Sequence, residues 1–428
     1  MVAGAAGLTL GCRANDGSAA SGAEVTSPGD AGALGDAVAD SATGADAVPP
    51  DAAGAEVVLG PAPTNLQVHH WATFTVFHAA VAQHHVPGVG RTEEQLPAFV
   101  HSRSLTAAGP PLAKIQTAGA FFHADTAGDV QLEVAVPQGQ VSADWPPAVA
   151  GVQAVAPALS AGHATWQLHV EPKTAKSPDL PAVAADSLWQ ALRDAGGARL
   201  TNLGGASGSD DLLFYRALGN FLPPLRISAT KTASAAGYEG SVSNDGDVAV
   251  PRAWLLYLHA GGGLLQPLNQ LTGKSKTQFS PTPKEVPASY FGNVEAVLTA
   301  ELQNSGLTGP EAKALFRSFS HNWLKTYGLR VIVVAPKAWA DAYVQATVTP
   351  KPVQEVRVVL GRFELLTAAD ESLLLTQLTA AAKTGEAGIL QQLGFFAEPK
   401  ARRALQATDD PAVKALAEQL IKQAAVLE

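Results

Sequence analysis

One segment, residues 68–103, constrains the fold more than any other. Its first part, VHHWATFTVFH, is dense in β-branched and aromatic side chains and reads as a strand. Side chains alternate along a strand. One face then carries His69, Trp71, Thr73, Thr75 and Phe77, and the other His70, Ala72, Phe74, Val76 and His78. The segment also holds six of the eleven histidines: His69, His70, His78, His84, His85 and His101.

That density raises a metal hypothesis, since neutral imidazole binds zinc, copper and nickel. Glu93 and Glu94 could add a carboxylate. Yet His70 and His78 are too far apart along a strand, at roughly 3.3 Å per residue, to share an ion directly. A site would need His84, His85 or His101 folded back. The segment lacks HExxH and CxxC spacing, so the sequence itself assigns no metal and no cofactor. Residue spacing leaves the catalytic residues unknown.

The segment resembles a family of secreted or lipid-anchored bacterial proteins with no characterised activity. The family pattern is HEWGTFT, a HHEEE-like run, then LPxFV. Here the matching residues are HHWATFT (69–75) and TEEQLPAFVH (92–101). Similar segments follow at 114–145, LLFYRALG, NWLKTYGLRVIVVAPKAW and VRVVLGRFELLT, so the resemblance spans most of 68–367. The chain departs from it at His70, where the family is acidic, and at Ala72, where it has glycine. The family's paired histidines fall on Gly90 and Arg91. If relatives carry a His/Glu metal or acid–base site, the resemblance implies that this chain has lost it.

The only cysteine, Cys12, ends VAGAAGLTLGC and excludes an intramolecular disulfide. Small apolar residues before Gly-Cys resemble the lipobox of bacterial lipoproteins, which implies that Cys12 carries lipid. Thr9 replaces the usual leucine, and no Lys or Arg precedes the apolar run, so a start upstream of Met1 is expected. Arg13 stands where an inner-membrane retention signal has Asp, which implies the outer membrane if the cell is Gram-negative. Residues 1–12 are therefore read as a partial lipoprotein signal peptide. Residues 13–64 read as a disordered acidic tether, because Ala, Gly, Ser, Asp and Pro cannot bury enough surface to offset ordering entropy. The expected partner is a membrane, through the lipid, and the expected place is extracytoplasmic. A net charge of −9 argues against nucleic acid.

The expected fold class is α+β: a mostly antiparallel, sandwich-like β region (65–266), a small α/β layer packed on it (267–366), and a C-terminal helical cap (367–428). In the first region QLEVAVP alternates cleanly, and residues 187–195 are ambiguous. Residues 266–287 read as a loop. Beyond it, Val294, Val297, Leu298 and Leu302 mark a helix. Thr308 with Glu311 forms a capping box opening a second helix, striped by Ala312, Leu315, Phe316, Phe319 and Trp323. LRVIVVA reads as a strand covered on both faces, followed by strands at YVQATV and VQEVRVVL. Helices begin at Thr367 and at Asp410-Pro411. TGKS (272–275) lacks a phosphate loop's first glycine. Asp210 and Asp211 read as a solvated turn, His123 and His163 as structural histidines, and His321 as solvent-facing. The expected function is a binding or structural module at the cell envelope, with a metal-dependent, possibly hydrolytic, enzyme as the alternative.

Overall fold

The computed structural model describes residues 58–81, 84–91, 95–102, 111–149, 159–173, 180–204, 206–233, 237–268, 270–281, 289–385 and 388–426. Cys12, most of the expected tether, Glu93 and Glu94 lie outside the described residues, as does the side chain of His84.

The opening strand is the centre of the architecture. Strand β1 (Gln67–Ala79) is buried from Val68 onward, so both of its alternating faces are covered. It pairs antiparallel with β4 (Ala113–His123) and parallel with β18 (Gln354–Leu366). The order of the main sheet is β14 (Gly262–Leu268), β13 (Arg252–His259), β16 (Gly328–Val334), β18, β1, β4, β10 (Leu213–Gly219), β6 (Gly139–Trp145), β3 (His101–Ser102). The short β2 (His84–His85) pairs with the end of β1. A parallel pair cannot be closed by a hairpin; here nearly the whole folded chain separates the two partners. The other ladders among the described strands are antiparallel.

Two smaller sheets cover one face. The first has the order β17 (Gln345–Thr349), β5 (Gly128–Val136), β7 (Gly162–Glu171), β8 (Arg199–Asn202), β9 (Ser209–Asp210). The second has β11 (Leu225–Lys231), β12 (Tyr238–Asn244) and β15 (Ser275–Phe279). Phe74 and Val76 of β1 share a core with Leu132, Val134, Trp166, Ile227 and Val242 from these sheets. The inward residues of β5 alternate with exposed or half-buried ones, as its sequence demands. The β region is therefore a sandwich.

Helices cover the opposite face. Trp71, Phe121 and Phe214 pack with α2 (Tyr290–Asn304) and α3 (Gly309–Leu324) through Val294, Leu298, Leu315 and Phe319. A third core joins Phe77, Ala79 and Leu366 to α5 (Ala368–Thr384), α6 (Ile389–Leu393), α7 (Ala397–Ala407) and α8 (Pro411–Val426). The fold is α+β, with C-terminal helices, as its sequence implies.

Several local expectations are corrected. Residues 187–195 contain helix α1 (Leu188–Arg193), capped by Ser187. The expected loop 266–287 contains β15, whose partner β12 is recruited from outside that segment. YVQATV is split: α4 (Lys337–Tyr343) ends within it and β17 follows. That strand joins β5, so the segments 65–266 and 267–366 share sheets. The solvated turn at Asp210 and Asp211 is a buried ion-pair site. Asp210 accepts hydrogen bonds from Arg193 Nε and Nη2 at 2.8 Å and from the indoles of Trp145 and Trp189 at 3.1 Å. Asp211 meets Arg199 at 2.7 Å and Lys173 at 3.1 Å.

Candidate metal centre

Three side chains from three elements meet above the start of β1. In the main sheet His69 lies opposite Phe121, and Gln67 opposite His123. His69 and His123 are thus diagonal neighbours on one face, a separation that ring side chains can close. Their ring centroids stand 4.9 Å apart, tilted by 56°. Helix α3 packs over this face and its first turn delivers Glu311. Thr308 Oγ1 accepts from Glu311 N at 3.3 Å, and Glu311 Oε2 accepts from Thr308 N at 2.8 Å. This reciprocal cap holds the carboxylate over the histidines.

Glu311 is fully buried, and its oxygens face both rings. His69 Nδ1 lies 2.8 Å from Oε2 and 3.1 Å from Oε1, and His123 Nε2 lies 3.1 Å from Oε1. Burial alone would raise the pKa of the carboxyl. Hydrogen bonds from His123 and His69, the field of His69, and the Thr308 N–H outweigh burial and lower it to about 2. The group is therefore a carboxylate near neutral pH, and the nitrogens facing it donate. His69 Nε2, on the far side of the ring, is buried and without a hydrogen-bond partner among the described residues. Of the three side chains, His123 reaches solvent, at 26% exposure, against 5% for His69 and 0% for Glu311.

Each residue offers one ligand atom, and these atoms lie within 4.8 Å of one another. Two imidazoles and a carboxylate suit zinc and its transition-metal neighbours; calcium and magnesium prefer oxygen ligands. Metal–ligand bonds of about 2.0–2.1 Å at tetrahedral angles put donor atoms roughly 3.3 Å apart, so the two His–Glu contacts would open by tenths of an ångström while the two histidines, whose ligand atoms lie within 4.8 Å, would draw together. The residues fit an ion. Without one they form a hydrogen-bonded staple joining β1, β4 and α3.

The histidines singled out from the sequence scatter. His69 joins the cluster. His70 points to the opposite face of β1, where burial, then the charges of Arg357 and His69, lower its pKa to about 3. His78 and His85 meet at the far end of β1, rings 6.2 Å apart, with His85 Nε2 3.0 Å from Leu112 O. His101 sits exposed on the edge strand β3, 6.4 Å from Trp145. No three of the described ones share a site. His163 and His321 are exposed. Gly90, where the resemblance puts a family histidine, lies under Phe395; a Cβ there would stand 2.1 Å from the ring.

Sequence reasoning missed His123 and Glu311 as partners of His69. His123 ends an apolar strand and carries no motif. Glu311 satisfies a capping box, which explains it completely in one dimension. A buried glutamate on the first turn of a helix whose stripe faces a histidine-bearing strand was the available signal.

No protein-family model matches the chain, and no curated protein does. Among solved structures, the chain is similar to the yeast delta-COP-I mu-homology domain, at 8% identity over 72% of this chain and 97% of that one, with a TM-score of 0.23. The same yeast domain complexed with the Dsl1 WxWxV peptide gives 9% identity, 72% and 98% coverage, and 0.24. A GH2 β-galacturonidase from Eisenbergiella tayi bound to glycerol gives 10% identity, 65% and 40% coverage, and 0.12.

Proposed function

We propose that the protein is a lipid-anchored binding module of the cell envelope whose folded body holds a divalent transition-metal ion, zinc by donor chemistry, at His69, His123 and Glu311. The convergence of these three ligand atoms within 4.8 Å carries the metal reading. The lipobox-like run ending at Cys12 supports the anchor. Three protein ligands leave a coordination position for water or a ligand, and His123 gives it a route to solvent. Both histidines must present a lone pair to the ion, so protons compete for the site and loading weakens toward acid pH.

Elemental analysis of protein purified without chelator, with zinc titration calorimetry, tests the centre. One zinc per chain is expected, lost in His123→Ala and in Glu311→Gln. Wild-type protein that carries no metal and gives no heat with zinc would leave the three residues as a structural staple. Mass spectrometry of the native product tests the anchor: a lipidated Cys12 at the N-terminus is expected, and an unmodified thiol behind an intact Met1 would overturn it. The open position favours one alternative, a metal-dependent hydrolase; zinc-dependent ester or phosphoester cleavage would establish it.

A further inference from the structure

On the opposite face of β1 from the candidate metal centre, between the main sheet and α4, lies a small cavity lined by His70, Ile115, Tyr215, Tyr343, Arg357 and Val359, among others. Its volume is about 20 Å³, room for one water-sized particle or a little more. His70 and Arg357 are register partners across the parallel β1–β18 ladder, and Tyr343 comes from the last residue of α4.

Three polar groups at this cavity are buried and unsatisfied. Both ring nitrogens of His70, the hydroxyl of Tyr343 and Nε of Arg357 have no hydrogen-bond partner among the described residues. His70 is 4% exposed, Tyr343 5%, and the Arg357 side chain 8%. Buried polar groups almost always have partners, so three around one cavity point to an occupant. All three can donate: a guanidinium Nε–H, a phenol whose pKa burial raises, and an imidazole N–H.

The charge balance favours an anion over water. Arg357 Nη1 meets Asp341 Oδ1 at 2.5 Å, but the other Asp341 oxygen meets Lys337 Nζ, also at 2.5 Å, and that carboxylate is 39% exposed. One screened carboxylate therefore serves two cations. The remaining Arg357 contact, from Nη2 to Val344 O at 2.5 Å, is neutral. The buried guanidinium is thus balanced by one partly exposed carboxylate that the 75%-exposed Lys337 also approaches, and its Nε faces a cavity of ionic size lined by further donors. We propose that this cavity binds a single monovalent anion of chloride size, held by Arg357 Nε, Tyr343 Oη and a ring nitrogen of His70.

Crystals of the wild-type protein grown or soaked in bromide test this directly by anomalous diffraction. A bromide peak within hydrogen-bonding distance of Arg357 Nε is expected; a water, or no density, would overturn the proposal. In solution, chloride should raise Tm relative to gluconate at equal ionic strength, with the shift growing as chloride increases. His70→Glu places a carboxylate beside Arg357 and should abolish that chloride response, and Tyr343→Phe should weaken it. A wild-type Tm that is the same in chloride and gluconate would also overturn the proposal. Should both variants fail to fold, the bromide experiment on the wild type still decides.

Discussion

His69 Nδ1 and Glu311 Oε2 lie 2.8 Å apart although 242 residues separate them in the chain. The bond ties the central strand to the first turn of a helix on the layer above, in a site from which water is almost excluded. Removing either partner leaves a buried polar group exposed to an environment that cannot solvate it.

Glu311→Ala should therefore cost about 3–5 kcal/mol, the range for breaking a buried charged pair, including loss of the α3 cap. Glu311→Gln, which keeps the shape and one acceptor oxygen, should cost less. Urea denaturation with circular dichroism at neutral pH and in chelator would measure both.

The acid limb of the stability curve should report the same carboxylate. Its pKa is lowered from 4.5 to about 2 in the folded protein. A depressed folded pKa means that the stabilisation is fully present above the unfolded value. It is lost progressively as pH falls from about 4.5 toward about 2. The shift corresponds to something on the order of 3 kcal/mol. Wild type should lose that increment of stability across this window, and Glu311→Gln should show a flatter profile in the same chelator-containing buffer.

Asp210 should be as sensitive, although it lies far from the candidate metal centre in the sequence. It is fully buried and receives a two-point contact from Arg193 and two indole N–H groups. Asp210→Ala should destabilise by about 3–5 kcal/mol. Adding Arg193→Ala should cost less than the sum of the two single changes, because the second removes a charge already stranded. Equilibrium denaturation of the single and double variants completes the cycle.

Gly361 tests the packing around the strand pair that closes the topology. It sits opposite Phe74 across the parallel ladder, and a Cβ there would stand 2.4 Å from the Phe74 ring. Gly361→Ala should destabilise by about 1–3 kcal/mol through overpacking. Combining it with Phe74→Leu should recover part of that loss, measured as Tm by calorimetry.

What the sequence determined by itself was local. The β-branched density of residues 68–78, the alternation of QLEVAVP, the apolar LRVIVVA run and the Thr308–Glu311 cap each specify an element through near neighbours, and each element formed. Even the double coverage of β16 was legible, because no side of the LRVIVVA strand could face water except at Arg330, which burial and pairing absorb: its guanidinium donates to Trp323 O at 2.6 Å and meets Glu364 at 3.0 Å. Tertiary structure decided which elements became neighbours. Strand β1 found β18 across almost the whole fold, β17 left its sequence neighbours for β5, and β15 emerged from a stretch too polar to announce a strand. It also decided the site. His69, His70 and His78 were dispersed by the strict alternation and length of one strand, and His101 was carried to the edge strand β3, while two residues with ordinary local explanations, His123 and Glu311, were brought to His69. Secondary structure follows from the few residues on either side, whereas a ligand set is a property of distances through space, and only the packing of sheet against helix fixes those.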